Sequence, residues 1–207
     1  MPRLILGSSS VHRRHLLGRL GIEFETLSPD ADESAHPGES PRELAIRLAS
    51  DKVDRICRCA DVGDAVVIGA DQTAALNGQL LRKPGDRDTA IRQLLDCQGR
   101  TVSFHTACEI LDGSTRRRFR GIDRTLVHFL NLKRPRIERY VDLERPYDCT
   151  GGFQAEGLGI TLFESIESTD PTALLGLPLV WLCGVLREIG LDPLAPERVE
   201  ASQRRLE

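Results

Sequence analysis

The sequence lacks the features that mark membrane-spanning, secreted and nucleic-acid-coating proteins. Its apolar runs are all shorter than the roughly 20 residues of a membrane-spanning helix, and no long apolar stretch follows a basic start as in a secretory signal. The net charge of -3 and the pI near 6.0 argue against a general nucleic-acid coat. We therefore expect a cytoplasmic protein whose partner is neither a membrane nor a nucleic acid.

The cysteines also lack any pattern of pairing. Six are scattered over predicted helices and strands, and no C-x-x-C pair occurs among them. Cys57 and Cys59 would face different sides of a helix, which makes them poor partners in a metal site. We therefore expect most of the thiols to be reduced and to pack as small apolar groups.

Length and composition favour one globular α/β domain. A chain of 207 residues can form one substantial core or two lobes around a cleft, and it is too short for several independent domains. With 40% hydrophobic and 29% charged residues, it does not have the composition of a disordered chain. We place the domain at residues 1–194 and expect the charged tail, 195–207, to be disordered.

Hydrophobic periodicity predicts an alternation of strands and helices. Strands are predicted over residues 4–6, 24–27, 64–69, 102–111 and 117–130, the last two forming a long antiparallel hairpin. Helices are predicted over residues 11–20, 41–59, 86–97, 136–143 and 179–189. The clearest helix start is the capping box Ser40-Pro41-Arg42-Glu43, and Asn77-Gly78 is a strong hairpin signal.

The first strand leads into a segment with the properties of a phosphate site. Residues 7–10, Gly-Ser-Ser-Ser, allow an anion to approach the backbone closely, and a helix follows at once. A helix N-terminus directs unpaired N–H groups and a partial positive charge at an anion. Arg13 and Arg14 add guanidinium groups that can bind phosphate through two hydrogen bonds each.

Carboxylates occur at places where they could serve phosphate chemistry. Asp32 and Glu33 follow the second strand, and Asp71 follows the buried strand, at the end where α/β proteins place their sites. Such carboxylates could hold a divalent cation, or one of them could take a proton from water. The sequence leaves these two roles open, and Asp32 and Glu33 could equally belong to a polar loop.

Cationic side chains that could neutralise phosphate charge are Arg13, Arg14, Lys52 and Lys83. A single surface arginine is more often solvated or paired than bound to a ligand. Each of these residues alone is therefore weak evidence for a phosphate site. The glycine-rich segment 151–157 interrupts all periodicity, which is common in loops that lie over a site.

The order and spacing of several segments together are more specific than any one residue. They are LILGSSSVHRRHLLGRLGIEF from Leu4, DADES from Asp30, ESPRELAIRLASDKV from Glu39, VVIGADQTAALNGQLLRKP from Val66, and GGFQAEGLGITLFESIESTDPTALLGLPL from Gly151. In this order they resemble the Maf-type nucleoside triphosphate pyrophosphatases over nearly the whole chain before the tail.

The resemblance implies a fold and a reaction. The fold would be α/β, with a mixed, curved sheet flanked by helices and two lobes around a central cleft, as in Maf and ITPase proteins. The reaction would be hydrolysis of a nucleoside triphosphate to the monophosphate and pyrophosphate with a divalent metal ion, Mg or Mn. The family is commonly homodimeric.

The resemblance also implies residue roles. Asp71 would be the proton acceptor and Glu33 its acidic companion, with both able to bind the metal and Lys83 in the same catalytic group. The phosphate-contacting positions of the family fall on Ser8, Arg13, Lys52 and Lys83. Arg14 would support the loop or pair with a neighbour.

Within the family the chain resembles the 7-methyl-GTP pyrophosphatase branch, through Gln72, Glu156 and the run GITLFE. The carboxylate of Glu156 can accept hydrogen bonds from the ring N–H and exocyclic amine of guanine, and its charge complements the cationic methylated ring. Close members of the branch tend to carry tryptophan where this chain has His12, and an indole stacks better than an imidazole on a cationic base. We assign His12, Gln72 and Glu156 to the base site.

Two alternatives stay open. The enzyme could act on dTTP, UTP or another modified nucleotide, although Gln72 and Glu156 speak against this. The chain could instead be a non-catalytic, nucleotide-sensing regulator of cell division, a role associated with the wider family. The presence of both Glu33 and Asp71 favours catalysis, because a module that only binds does not need a water-activating carboxylate.

Overall fold

A computed structural model describes residues 2–195, in which strands and helices alternate as the periodicity predicts. The strands are β1 Leu4–Gly7, β2 Glu25–Leu27, β3 Val66–Leu76, β4 Gln79–Leu81, β5 Thr101–Asp112, β6 Arg118–Phe129 and β7 Phe163–Glu167. The helices are α1 Val11–Gly18, α2 Pro41–Cys59, α3 Arg87–Cys97, α4 Arg134–Glu144 and α5 Leu179–Glu188. Short 3-10 turns cover Thr150–Gly152, Leu158–Leu162 and Ala173–Leu175.

The strands form one mixed sheet in the order β2-β1-β3-β5-β6-β7, with β4 paired to β3. β1 is parallel to β2 and to β3, whereas β3, β5, β6 and β7 pair antiparallel. Helices pack against this sheet, so the predicted α/β class with a mixed sheet and flanking helices is confirmed.

The long strands connect separate hydrophobic cores. One core joins α1 and α5 to the sheet and includes Ile68 of β3, and a second joins α3 and α4 to it and includes Ala74 of the same strand. β5 does likewise, with Cys108 in the first core and Phe104 in the second. Polar residues of both strands lie between the cores, and this boundary positions the site.

Several predicted local signals are confirmed. Ser40 Oγ accepts a hydrogen bond from Glu43 N, and Glu43 Oε2 accepts one from Ser40 N at 2.9 Å, which completes the capping box of α2. Asn77 and Gly78 have φ values of 52° and 82°, the two positive values that a type I′ hairpin requires. All six cysteines are free thiols, and no described helix is long and apolar enough to cross a membrane.

The buried strand β3 is longer than predicted. It does not end at residue 69 but continues to Leu76, because β5 pairs with it throughout, including Asp71 with Ala107. Asp71 therefore lies inside a strand, and its predicted place after the strand is wrong. The parallel neighbour β1 does end nearby, at Gly7 opposite Gly69, so Asp71 lies just past the carboxyl end of that parallel pair.

Other boundaries also differ from the prediction. α1 ends at Gly18, before the glycine at position 21, and β7 had no counterpart in the predicted strands. The predicted tail lies almost entirely outside the described residues, so the domain boundary at 194 stays a prediction.

Candidate functional site

Two carboxylates meet one buried ammonium group at the boundary between the cores. Lys52 reaches from α2 and donates to Asp71 Oδ1 of β3 at 2.5 Å and to Glu33 Oε1 at 2.8 Å. The side chains of Lys52 and Asp71 are 6% and 9% exposed, whereas that of Glu33 is 57% exposed. Residues far apart in the sequence are thus joined through a single nitrogen atom.

Close packing of α2 on β3 makes this meeting possible. A Cβ atom at Gly69 would lie 2.4 Å from the backbone oxygen of Ala49 and 2.7 Å from the side chain of Val53. Only glycine leaves room for the helix at this point. The close approach puts Lys52, on the same stretch of α2, beside Asp71.

The electrostatic environment keeps Glu33 ionised. Burial raises the pKa of Glu33, but the hydrogen bond and positive charge of Lys52 oppose this effect. The charges of Lys83 and Arg13 act in the same direction, and the pKa of Glu33 lies below its ordinary value of 4.5. Glu33 is therefore a carboxylate at neutral pH, which suits either metal binding or charge stabilisation.

The loop that carries Glu33 is fastened to α2 by Arg47. Its guanidinium donates to Ser34 O at 2.8 Å and to both carboxylate oxygens of Glu39 at 2.7 and 2.9 Å. A third partner is Asp51, at 3.1 Å. Arg47 was not among the predicted site residues. In the sequence of a helix, an arginine that binds a neighbouring loop cannot be distinguished from one that is solvated.

Arg13, at the start of α1, is held at two of its nitrogen atoms. Arg13 Nε donates to Gly176 O at 2.8 Å, and Nη1 donates to Ser8 Oγ at 3.4 Å. Ser8 is buried, and its hydroxyl also accepts from Ser10 N at 3.2 Å. Ser10 is the N-cap of α1, and Arg14 is exposed. The predicted phosphate segment therefore presents one ordered arginine at a helix N-terminus.

The cleft consists of two adjoining cavities. One, of about 380 Å³, is lined by Glu33 and Asp71, and the other, of about 150 Å³, by His12, Arg13 and Glu156. The lining residues that both cavities share are Gln72, Lys83 and Thr150. Lys83 thus lies between the carboxylates and the arginine, where a polyphosphate could reach both.

The predicted base residues line the smaller cavity, and each has a protein partner. His12 Nδ1 lies 2.6 Å from Glu156 Oε1, with the two side chains 49% and 39% exposed. Gln72 Nε2 lies 3.0 Å from each of Ala173 O and Leu174 O. A base that binds to Glu156 would have to displace His12 from the Glu156 carboxylate and form its own hydrogen bonds there.

Two aromatic residues of this cavity were not predicted as site residues. Phe104 and Phe153 form an edge-to-face pair with ring centroids 5.4 Å apart, and both line the cavity. Phe153 lies in the glycine-rich loop that was predicted to cover a site, which is the one signal for it in the sequence. Their apolar surface provides a wall against which a flat base could pack.

The donor set suits a small divalent cation whose coordination is shared with substrate. No group of three or more His, Cys, Asp or Glu within residues 2–195 is arranged to hold a metal ion. Mg²⁺ in nucleotide enzymes usually takes one or two carboxylates and completes its shell with phosphate and water oxygens. Glu33 and Asp71 supply two carboxylates at one point, so the residues present fit such an ion.

Comparisons with known proteins identify relatives over almost the whole chain. Residues 3–189 match the family described as Maf-like protein. A protein of Xanthomonas axonopodis pv. citri named 7-methyl-GTP pyrophosphatase is 50% identical over 192 residues, which cover 93% of this chain and 99% of that protein. Proteins of the same name from Hahella chejuensis and Pseudomonas aeruginosa are 45% and 46% identical over 92% and 93% of this chain and 95% and 99% of their own.

Among solved structures, the chain is similar to that of a nucleoside-triphosphatase or dITP/XTP pyrophosphatase from Mycobacterium abscessus. The TM-score is 0.38 at 16% identity, over 63% of this chain and 74% of that chain.

Proposed function

Because the chain belongs to the Maf family, we propose that it hydrolyses 7-methyl-GTP to 7-methyl-GMP and pyrophosphate, and so removes a modified nucleotide. The similarity to proteins that carry this name supports the substrate. The observation that carries the chemistry is the contact of Lys52 with both Asp71 and Glu33, beside a cavity that Lys83 also lines.

The proposed reaction breaks the anhydride between the α and β phosphates. A water oxygen forms a bond to phosphorus, the bridging P–O bond breaks, and its electron pair leaves with pyrophosphate. Asp71 takes the proton of that water as general base. Lys52 holds the carboxylates of Asp71 and Glu33 together, so the base is positioned before substrate binds.

The cations of the cleft would neutralise the triphosphate. Arg13 already has two protein hydrogen bonds that fix its plane, which reduces the entropy lost when it binds phosphate. Lys83 lies where the two cavities meet and could contact a phosphate from either side. Ser8 acts on the substrate site through its hydrogen bond with Arg13.

A divalent cation, Mg²⁺ or Mn²⁺, would be held by Glu33 and Asp71. When bound, such an ion polarises phosphate oxygens and offsets their negative charge. The lowered pKa of Glu33 supports this assignment, because a metal ligand of this kind must be ionised.

Base selectivity would come from Glu156. Its carboxylate can accept from both N–H groups on the guanine edge and attract the cationic methylated ring, whereas uracil and thymine suit a neutral amide. Its place in the wall of the smaller cavity, which Arg13 also lines, supports this role.

We further propose that the protein acts as a homodimer in the cytoplasm, where its nucleotide substrate is available. The resemblance to the family supports the dimer. Sedimentation equilibrium tests the assembly, and a mass equal to that of the 23.0 kDa chain would contradict it.

The proposed function is tested with purified protein, Mg²⁺ or Mn²⁺, and equal concentrations of 7-methyl-GTP, GTP, UTP and dTTP, with products identified by chromatography. We expect 7-methyl-GTP to be the best substrate, giving 7-methyl-GMP and pyrophosphate. Faster turnover of UTP or dTTP would support the other branch. Tight nucleotide binding without pyrophosphate release in any metal would favour the non-catalytic regulator.

The variant Glu156→Gln tests base selectivity within the same assay. We expect the ratio of kcat/KM for 7-methyl-GTP to that for UTP to fall by about tenfold, because one good bidentate pair contributes roughly 1–3 kcal/mol of discrimination. An unchanged ratio would remove Glu156 from base recognition.

A further inference from the structure

One short turn holds both an arginine and a glutamine of the cleft. Gly176 O accepts from Arg13 Nε at 2.8 Å, and Ala173 O and Leu174 O each lie 3.0 Å from Gln72 Nε2. Both side chains line the smaller cavity. The orientation of Arg13 therefore depends on where this turn, residues 173–176, places its carbonyl groups. That of Gln72 depends on the turn and on Thr106, whose Oγ1 lies 2.9 Å from Gln72 Nε2.

The backbone conformation of the turn favours glycine beside the arginine. Gly176 has a φ of 105°, a value that residues other than glycine rarely adopt. In this conformation its carbonyl oxygen lies 2.8 Å from Arg13 Nε. The turn is also tied to the sheet, because the buried hydroxyl of Thr106 donates to Ala173 O at 2.9 Å.

The two ends of the turn are joined by Asp170, whose carboxylate is almost fully buried. Asp170 Oδ1 accepts from Thr172 N at 3.0 Å and lies 2.7 Å from Thr172 Oγ1, before the turn. Asp170 Oδ2 accepts from Val180 N at 2.7 Å, after the turn. One carboxylate therefore spans the segment that carries the three carbonyl groups.

The same carboxylate begins helix α5. The residue before the helix is Pro178, whose side chain has no hydrogen-bonding group, so the first N–H groups of α5 need other acceptors. Val180 N donates to Asp170, and Leu179 N donates to Thr172 Oγ1 at 2.9 Å. A negative charge at a helix N-terminus is also favourable. These hydrogen bonds fix the position of the turn relative to the first residues of α5, which packs in the first core.

We propose that Asp170 is a positioning residue for substrate binding. It acts through the turn to hold the Arg13 guanidinium and the Gln72 amide at the cavity, and it does not touch the nucleotide itself. The inference rests on the proposed function for its substrate. It adds a dependence of nucleotide affinity on a carboxylate outside the cleft lining.

The test compares Asp170→Asn with wild type in two measurements, KM and kcat for 7-methyl-GTP and the Kd for 7-methyl-GTP by calorimetry. The amide of asparagine can accept at one atom only, so either Thr172 or Val180 loses its acceptor. We expect KM and Kd to rise about tenfold and kcat to change less than about twofold, because a binding group is misplaced while the general base is not.

Thr172 provides the matched pair of variants. Thr172→Val removes the hydroxyl oxygen that accepts the hydrogen bond from Leu179 N. It should raise Kd as Asp170→Asn does. Thr172→Ser keeps that hydroxyl and should stay near wild type. The control is Asp112→Asn, a buried carboxylate at the end of β5 whose partners Ser114 and Thr115 belong to the β5–β6 hairpin. It should leave both KM and Kd unchanged.

A double variant separates positioning from general structural damage. If Asp170 acts through Arg13, then adding Asp170→Asn to Arg13→Ala should raise Kd by much less than about tenfold, since coupled residues are not additive. Additive effects, or a folded Asp170→Asn protein with wild-type Kd, overturn the inference. A wild type that binds 7-methyl-GTP without hydrolysing it contradicts the proposed function alone, because the Kd comparison still decides the role of Asp170.

Discussion

Replacement of Lys52 by methionine should destabilise the protein strongly. Methionine keeps the unbranched apolar stem of lysine and removes the ammonium group, so Asp71 retains its burial and loses its 2.5 Å partner. Both side chains of this pair are less than a tenth exposed. Breaking a buried ion pair by removal of one partner costs about 3–5 kcal/mol, because the remaining charge is uncompensated.

Most of this cost should come from Asp71. Glu33 is 57% exposed, and water replaces its lost partner, so its share should not exceed about 1 kcal/mol. In the double variant Lys52→Met with Asp71→Asn no buried charge is left unpaired, and such replacement is often neutral. We expect the double variant to be more stable than Lys52→Met by about 2 kcal/mol.

The assay is urea unfolding at pH 7, with the free energy of unfolding compared at equal m-values. A cost below about 1 kcal/mol for Lys52→Met would mean that the pair behaves as an exposed one. Equal stability of the single and double variants would show that the destabilisation does not come from an unpaired Asp71. Either result refutes the idea that Lys52 exists to hold two carboxylates in the cleft.

Further predictions concern pH and the base site. Hydrogen bonds from Arg47 lower the pKa of Glu39 from 4.5 to about 2, so Glu39 stabilises the fold above pH 4.5 and loses this contribution as the pH falls towards 2. The difference in urea midpoint between wild type and Glu39→Gln should shrink over that range, and a constant difference would contradict it. His12→Trp should lower the KM for 7-methyl-GTP by about threefold through cation–π stacking and the release of Glu156, and an unchanged KM would exclude both effects.

Local signals in the sequence predicted local structure well. The capping box at Ser40 and the turn at Asn77-Gly78 require only neighbouring residues, and both are present as predicted. The extent of β3 could not be predicted, because residues 70–76 of β3 pair with residues 102–108 of β5, a separate and distant stretch of the chain. An apolar run shows where a strand is buried, whereas the partner strand decides where it ends.

The site shows the same division between local and distant causes. The resemblance to the Maf family implied that Glu33, Asp71, Lys83 and Arg13 share a cleft. In the structure these residues line two adjoining cavities. The contact of Lys52 with two carboxylates could not be predicted, because it requires α2 to lie on β3 at Gly69.

The residues that hold the site together had no usable sequence signal. Arg47 fastens the Glu33 loop, and Asp170 fastens the turn that receives Arg13, and each does so through backbone groups. Backbone partners leave no trace in residue type, so such roles become visible only when the chain is folded.

The most direct test of catalysis in this cleft is the kcat of Asp71→Asn on 7-methyl-GTP, measured beside wild type and the control Asp112→Asn. We expect Asp71→Asn to lose at least about 100-fold in kcat, since a general base contributes roughly 10²–10⁴-fold. Circular dichroism should show that the variant is folded, because Lys52 keeps its hydrogen bond to Glu33. A folded Asp71→Asn protein that turns over 7-methyl-GTP at a rate close to wild type would contradict the proposal that Asp71 activates water.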